Sequence, residues 1–343
     1  ISPSGNPTSG PTSNPTTSPT SGPTTNPTIS PSGNPTTSPT SGPTSNPTST
    51  PTSTPTSYVL SNHTIKQTIT GVDSFGTHVS GNNNGVIAVT YDHGFKLYHV
   101  DSSTSQNSVI TELHNFPYTG PSIRTPTFVG DGYTLVLGVN DEELDVYTSG
   151  DGGTTWGRVT TITDQAGYPG FAKSITACSD GSKFLVQSFG NFGDDVRSRV
   201  YTYDTATMTK ISTATVDSET LYLTAGASMA CGTNHMILQF KSLTKDRVRL
   251  FKWNTLTASW NLVRSLVQPN AYDDYGDTVM IMSNDELIAL ASPSMSVIDI
   301  FKVSDLSVLY SISGGQGAHT SITHDSEWII TNTDQSTLVR YDL

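Results

Sequence analysis

The chain has 343 residues, a formal net charge of −12 and two cysteines. An acidic chain is repelled by nucleic acid and by anionic membrane surfaces, so neither is expected as a partner. No stretch of about 18 apolar residues occurs, so the sequence predicts no membrane-spanning helix.

Residues 1–57 form a tetrapeptide repeat, P-[TS]-x-x, that carries no charged residue. Proline stands at every fourth position, and Thr or Ser follows each proline directly. The repeat has too few apolar residues to build a core, and its prolines exclude both a helix and a central strand. Because proline fixes φ and pushes the preceding residue toward extended backbone, the sequence predicts a polyproline-II-like stalk.

The repeat also supplies candidate O-glycosylation sites, since tracts rich in Pro, Thr and Ser are typical of O-glycosylated stalks. At three residues per turn, a period of four rotates successive hydroxyls by about 120°, so sugars would cover all sides of the chain. The alternative is a flexible spacer whose period is a relic of repeat expansion. The candidate hydroxyls are those of Ser4, Thr8, Thr12, Thr16, Thr20, Thr24, Thr28, Ser32, Thr36, Thr40, Thr44, Thr48, Thr52 and Thr56.

Three features favour a secreted protein. Cys178 and Cys231 lie in matching contexts, ITACSDGSKFLV and SMACGTNHMILQ, so they could meet as a disulfide between successive repeats. Two buried free thiols are the equal alternative. Asn62 begins the N-glycosylation sequon Asn-His-Thr. The chain begins at Ile1 rather than Met, so we expect a processed or partial chain. Together these features predict an extracellular location.

From Tyr58 onward the sequence predicts short strands separated by Gly, Asn, Asp and Ser turns. A unit of about 48 residues recurs six times, and a period of 40–50 with four strands per unit is typical of a β-propeller. The first strands of the units are predicted at 86–91, 134–139, 184–189, 236–240, 287–292 and 327–331. The second strands are predicted at 95–100, 143–149, 198–204, 248–253, 297–303 and 337–342.

The expected fold is therefore all-β, with the stalk at 1–57 and a six-bladed β-propeller at 58–343. The last unit ends one strand short at Leu343, and the segment 58–69 alternates like a strand without a unit of its own. We expect this segment to close the ring as the outer strand of the sixth blade, which removes a sheet edge. The same strand could instead complete the sixth blade of a neighbouring molecule.

The octapeptide Ser149-Gly150-Asp151-Gly152-Gly153-Thr154-Thr155-Trp156 matches the Asp-box pattern S-x-D-x-G-x-T-W. It resembles the BNR repeats of sialidases and other secreted propellers. Physical reasoning predicts a hairpin turn in which Asp151 caps amides, Gly153 adopts a conformation that excludes Cβ, and Trp156 packs below. The resemblance implies a structural role for Ser149, Asp151, Gly153, Thr155 and Trp156.

Phe75-Gly76 and Tyr275-Gly276 resemble FG-GAP repeats of the integrin α type, but no unit contains the calcium loop of that family. Asp273, Asp274 and Asp277, or the run 140–145, are therefore expected to be solvated turns rather than a calcium site. No cofactor or metal is expected. Arg124 in SIRTPT resembles the sialidase arginine motif, but its flanking residues differ from that motif. The eight histidines show no metal spacing, and no catalytic motif occurs. No enzymatic activity is expected, and no catalytic residue is assigned.

Taken together, the chain resembles the subunits of glycan-coated extracellular fibrils, in which short proline/threonine tetrapeptide repeats form a linear core under ordered sugar. The resemblance covers residues 3–57. It implies a self-associating structural glycoprotein in which the propeller serves as anchor or coupling domain. The alternatives are a secreted glycan-processing enzyme with a Pro/Thr linker, or a stalked adhesin or lectin. The candidates for hydroxyproline are Pro3, Pro7, Pro11, Pro15, Pro19, Pro23, Pro27, Pro31, Pro35, Pro39, Pro43, Pro47, Pro51 and Pro55.

Overall fold

The structure is a computed structural model. It describes residues 58–59, 69, 75–101, 109–118, 126–139, 142–163, 170–172, 174–192, 195–216, 228–239, 246–267, 278–282, 285–292, 297–313, 322–325, 328–332 and 338–342. All of them belong to the unit Ser53–Leu343. The predicted stalk lies outside the described residues.

The described residues are all-β and contain no α-helix, which confirms the all-β part of the predicted fold. They form six antiparallel sheets of four strands each. Sheet 1 contains β2 (Val79–Gly81), β3 (Val86–Tyr91), β4 (Gly94–Asp101) and β5 (Val109–Pro117). Sheet 2 contains β6 (Pro126–Val129), β7 (Thr134–Gly138), β8 (Glu143–Thr148) and β9 (Gly157–Thr163). Sheet 3 contains β10 (Ser174–Ala177), β11 (Lys183–Phe192), β12 (Asp195–Asp204) and β13 (Lys210–Val216).

The remaining three sheets follow in chain order. Sheet 4 contains β14 (Met229–Cys231), β15 (His235–Gln239), β16 (Asp246–Asn254) and β17 (Ser259–Val267). Sheet 5 contains β18 (Thr278–Ile281), β19 (Leu287–Ser292), β20 (Val297–Lys302) and β21 (Val308–Ser313). Sheet 6 contains β22 (Ile322–Asp325), β23 (Trp328–Asn332), β24 (Leu338–Asp342) and β1 (Tyr58–Val59), so it combines residues from both ends of this unit.

The strand assignment departs from the sequence prediction in one respect. The twelve predicted strands are strands, but they occupy the second and third places of each sheet rather than the first and second. The first strands of the sheets are short, as in β14 with three residues, so no alternation of apolar and polar residues can be recognised in them. By contrast, second strands such as β19 are nearly continuous apolar runs, because both of their faces are buried.

Among the described residues, apolar layers join sheets 1 to 5 in sequence, sheet 1 to 2, 2 to 3, 3 to 4 and 4 to 5. In β7, Val136 faces sheet 3 while Leu135 and Leu137 face sheet 1, since successive strand residues point to opposite faces. In β15, Leu238 packs toward sheet 3 and Ile237 toward sheet 5 in the same way. Each fully buried aliphatic side chain stabilises the fold by about 1.5–3 kcal/mol, so the layers are the main source of stability.

The first strands of the first five sheets contact one another in sequence, β2 with β6, β6 with β10, β10 with β14, and β14 with β18. Within each of these sheets neighbouring strands are hydrogen-bonded in chain order, beginning with β2, β6, β10, β14 or β18. In sheet 6, β1 pairs with β24 of the same chain, with Tyr58 opposite Arg340 and Val59 opposite Val339. Most of the predicted ring-closing segment 58–69 lies outside the described residues.

Candidate functional site

The candidate modification sites of the repeat, from Pro3 to Thr56, lie outside the described residues. Asn62 lies outside them as well, as do Arg124, Tyr275 and the three aspartates at 273, 274 and 277. Their assignment stays a prediction from the sequence. The sites that the structure does describe are the Asp-box turn, the two cysteines and the turns that link neighbouring sheets.

The Asp-box forms the turn between β8 and β9, and Asp151 organises it. Asp151 Oδ1 accepts hydrogen bonds from the backbone N of Thr155 at 2.8 Å and of Thr154 at 3.1 Å. Asp151 Oδ2 accepts one from Thr155 Oγ1 at 2.7 Å. These bonds favour the ionised carboxylate and, led by the backbone bond from Thr155, lower the pKa of Asp151 to about 2. Ser149 Oγ donates to Asp151 Oδ1 at 2.9 Å and accepts from Gly153 N at 2.7 Å.

Gly153 and Trp156 attach this turn to the body of the domain. Gly153 has φ of 96°, and a Cβ placed on it would lie 3.3 Å from Val86 Cγ2 in sheet 1. Trp156 Nε1 donates to Gly153 O at 2.9 Å, and its buried ring meets Phe128 edge-on at 5.9 Å between centroids. The polar groups of the box therefore fold the turn itself, while its indole packs in the layer between sheets 1 and 2.

Cys178 and Cys231 form a disulfide with an S–S distance of 2.04 Å. Cys178 directly follows β10 and Cys231 ends β14, so the bond joins the first strands of sheets 3 and 4. Ser179 N donates to Cys231 O at 3.2 Å beside it. Both cysteines are buried within the apolar layer between these sheets. The bond closes a loop of 53 residues and therefore fixes one whole sheet against the next.

Polar contacts at equivalent turns link other pairs of sheets, and sequence reasoning missed them. Each involves the turn between the first and second strands of its sheet. Asn82 Nδ2 donates to Gly132 O at 2.6 Å, and Asn84 Nδ2 donates to Asp131 O at 3.0 Å, which joins sheet 1 to sheet 2. Between sheets 2 and 3, Gly181 approaches so closely that a Cβ on it would lie 2.9 Å from Gly130 O.

Asp285 makes the corresponding link between sheets 4 and 5. Its carboxylate accepts hydrogen bonds from the backbone N of Thr233 at 2.8 Å and from the backbone N of Asn234. His235 Nδ1 lies 3.4 Å from Asp285 Oδ2. Asp285 is buried and has φ of 58°, a region in which Asp is several-fold enriched among residues other than glycine. The recurrence of short polar residues after each first strand is the sequence signal that could have revealed this series.

Asp145 corrects one sequence prediction, because it is not part of a solvated turn. It lies in β8, is 2% exposed, and faces sheet 1 on the same side as Tyr147. Its carboxylate accepts from Thr161 Oγ1 at 2.6 Å and pairs with Arg158 Nη1 at 3.3 Å. Burial, with a smaller contribution from Asp145, raises the pKa of Tyr147 to about 12. The phenol therefore stays protonated at neutral pH and is available only as a neutral hydrogen-bonding group.

Among the residues that the structure describes, no three His, Cys, Asp or Glu side chains are grouped closely enough to hold a metal ion. Within the same residues no helix is long and apolar enough to cross a membrane. No protein-family model matches the chain, and no curated protein matches it significantly.

Proposed function

We propose that this protein is an extracellular structural glycoprotein, a subunit of a glycan-coated fibril or matrix. Residues 1–57 carry O-glycans on the hydroxyls that follow proline and form the fibril core. The β domain is a six-bladed propeller that anchors or couples the subunits, and it has no catalytic role. The observation that carries this proposal is the unbroken period of four over 57 residues that contain no charged residue.

The repeat supports the proposal through what its composition can do. It lacks the apolar area needed to fold, so its value to the molecule lies in length and in its hydroxyls. At about 3.1 Å per residue, an extended chain of this length spans on the order of 180 Å. A regular spacing of hydroxyls gives attached sugars a regular arrangement around the chain, which suits a repetitive assembly better than an irregular linker does.

The arrangement of the sheets supports the propeller. Five consecutive four-stranded sheets pack face to face, and their first strands contact one another in chain order. Propellers place their blades around an axis in this way, with the first strands innermost. A sixth sheet that takes strands from both ends of the domain suits the closure of such a ring, because closure removes exposed sheet edges.

The linkages between sheets support an anchoring role. A disulfide, carboxylate-to-amide hydrogen bonds and close turn contacts each hold one sheet against its neighbour. The last proline of the repeat, Pro55, precedes β1 at Tyr58 by three residues, so the repeat and the first strand of the domain are adjacent in the sequence. A domain held together in this way suits the transmission of tension from a stalk.

Glycopeptide and intact-mass spectrometry of protein purified from its native source tests the proposal. We expect hexose-containing mass additions on peptides from 1–57, at the residue after each proline, and added oxygen on part of the prolines. Peptides from the β domain, such as 197–216 with its exposed Thr207, Thr209, Thr213 and Thr215, serve as the control and should carry no sugar. An unmodified mass for residues 1–57 would contradict the proposal, and purely monomeric protein under native conditions would contradict its fibril part.

A further inference from the structure

Sheet 6 differs from the other five in how its fourth strand is supplied. In sheets 1 to 5 the fourth strand follows the third along the chain through a turn or short connection. In sheet 6 the fourth place belongs to β1, which precedes β24 by nearly the whole length of the domain. No short connection therefore forces the β1 that fills this place to come from the same chain.

Among the residues that the structure describes, the ladder between β1 and β24 is also the shortest that joins a third and a fourth strand. Tyr58 and Val59 form two residue pairs with β24, whereas the fourth strands of sheets 1 to 5 form between five and eight pairs with their third strands. Each backbone hydrogen bond stabilises by about 0.5–1.5 kcal/mol net, so two pairs hold the strand weakly. A strand held this weakly can leave and be replaced by an identical strand.

We propose that β1 of one copy pairs with β24 of a second copy, in the register seen within the chain. Tyr58 would lie opposite Arg340, and Val59 opposite Val339, of the second copy. This inference rests on the proposed function and names the contact between its subunits. The exchanged pairing makes the same bonds as the internal one, so the ratio of exchanged to internal pairing depends on the concentration of the protein. A strand tethered within its own chain typically has an effective concentration in the millimolar range. Subunits crowded in a fibril reach comparable concentrations.

The exchange can be reciprocal or open-ended. If two copies trade β1 with each other the contact closes as a dimer, whereas if each copy donates β1 to one neighbour and accepts it from another the contact is heterologous and continues from copy to copy, as a fibril requires. The repeat ends directly before β1, so every exchange would place one repeat segment at the junction of two domains. β1 would thus couple the stalk of one subunit to the β domain of the next.

Variants of the full chain that each carry one added cysteine test this pairing, because the two native cysteines are already joined to each other. Chains carrying Tyr58→Cys and mass-labelled chains carrying Arg340→Cys are co-produced and oxidised. Paired residues of antiparallel strands have Cα atoms about 4.5–5.5 Å apart, which lies within the range that a disulfide spans. Neither variant can form the bond within one chain, so a mixed dimer reports exchange alone.

The control pairs Tyr58→Cys with Leu256→Cys, which places the second thiol on a turn residue that is 95% exposed. We expect the Y58C–R340C dimer to exceed the Y58C–L256C dimer by about tenfold, a preference of about 1.4 kcal/mol, and to increase with protein concentration. The double variant Y58C/R340C reports the internal pairing at low concentration.

Two results would overturn the inference. If the double variant forms its internal disulfide while the mixed dimer never exceeds the control, exchange does not occur. The proposal that the repeat is glycosylated would still stand in that case. If neither disulfide forms, the β1–β24 pairing itself is wrong. Failure of the proposed function has a different signature, namely an unmodified repeat in mass spectrometry.

Discussion

The disulfide between Cys178 and Cys231 gives the sharpest prediction about the β domain. Reduction is expected to destabilise the domain, because the bond closes a loop of 53 residues and so restricts the unfolded chain. In the chain-entropy model a loop of this length corresponds to about 4 kcal/mol at 25 °C. For a domain of roughly 290 residues this lowers the melting temperature by about 7 °C.

The assay compares oxidised and reduced protein by urea or thermal unfolding, so both states keep the same buried sulfur atoms. The variant Cys178→Ala/Cys231→Ala is the matched control: it should resemble the reduced protein in stability, and reductant should have no further effect on it. A change below about 1 kcal/mol on reduction would refute the reasoning, because it would mean that the unfolded chain is not restricted by the cross-link.

Three further predictions concern the turns. Gly153→Ala should destabilise the domain by about 1–3 kcal/mol, because φ of 96° and the contact with sheet 1 exclude a Cβ, whereas Gly150→Ala, with open space around it, should be neutral in the same unfolding assay. Asp285→Asn should cost about 1–3 kcal/mol in urea unfolding, since one of the two part-buried amides that this buried side chain caps loses its charged acceptor, while the exposed Asp92→Asn should leave stability unchanged. Because the pKa of Asp151 is lowered to about 2, its stabilisation is present above the unfolded value near 4 and is lost as pH falls to 2. The stability difference between wild type and Asp151→Ala should therefore shrink over that pH window, and a constant difference would contradict the assignment.

Whether a strand could be predicted from the sequence depended on how many residues its hydrophobic pattern covers. The second strands were readable because they contain short apolar runs, as in β19, and the third because aromatic or aliphatic residues recur along them, as in β4; both are bounded by turn residues. The first strands were missed because strands such as β14 have only three residues, too few for a period to appear. Asp145 was placed in a solvated turn because its burial depends on Arg158 and Thr161 in the neighbouring strand, which no local pattern reveals.

The sequence by itself determined what is local in the chain. Proline at every fourth residue predicts extended backbone for residues 1–57, since each proline ring fixes its own φ. The spacing within Ser149–Trp156 decides the Asp-box turn, because its hydrogen bonds join residues at most four positions apart. The tertiary structure alone decided between a disulfide and two free thiols, assigned Asp285 to amides 51 and 52 residues away, and brought β1 against β24. Those contacts join residues that only the stacking of whole sheets brings together, and their partners are therefore set by the packed domain rather than by any stretch of chain.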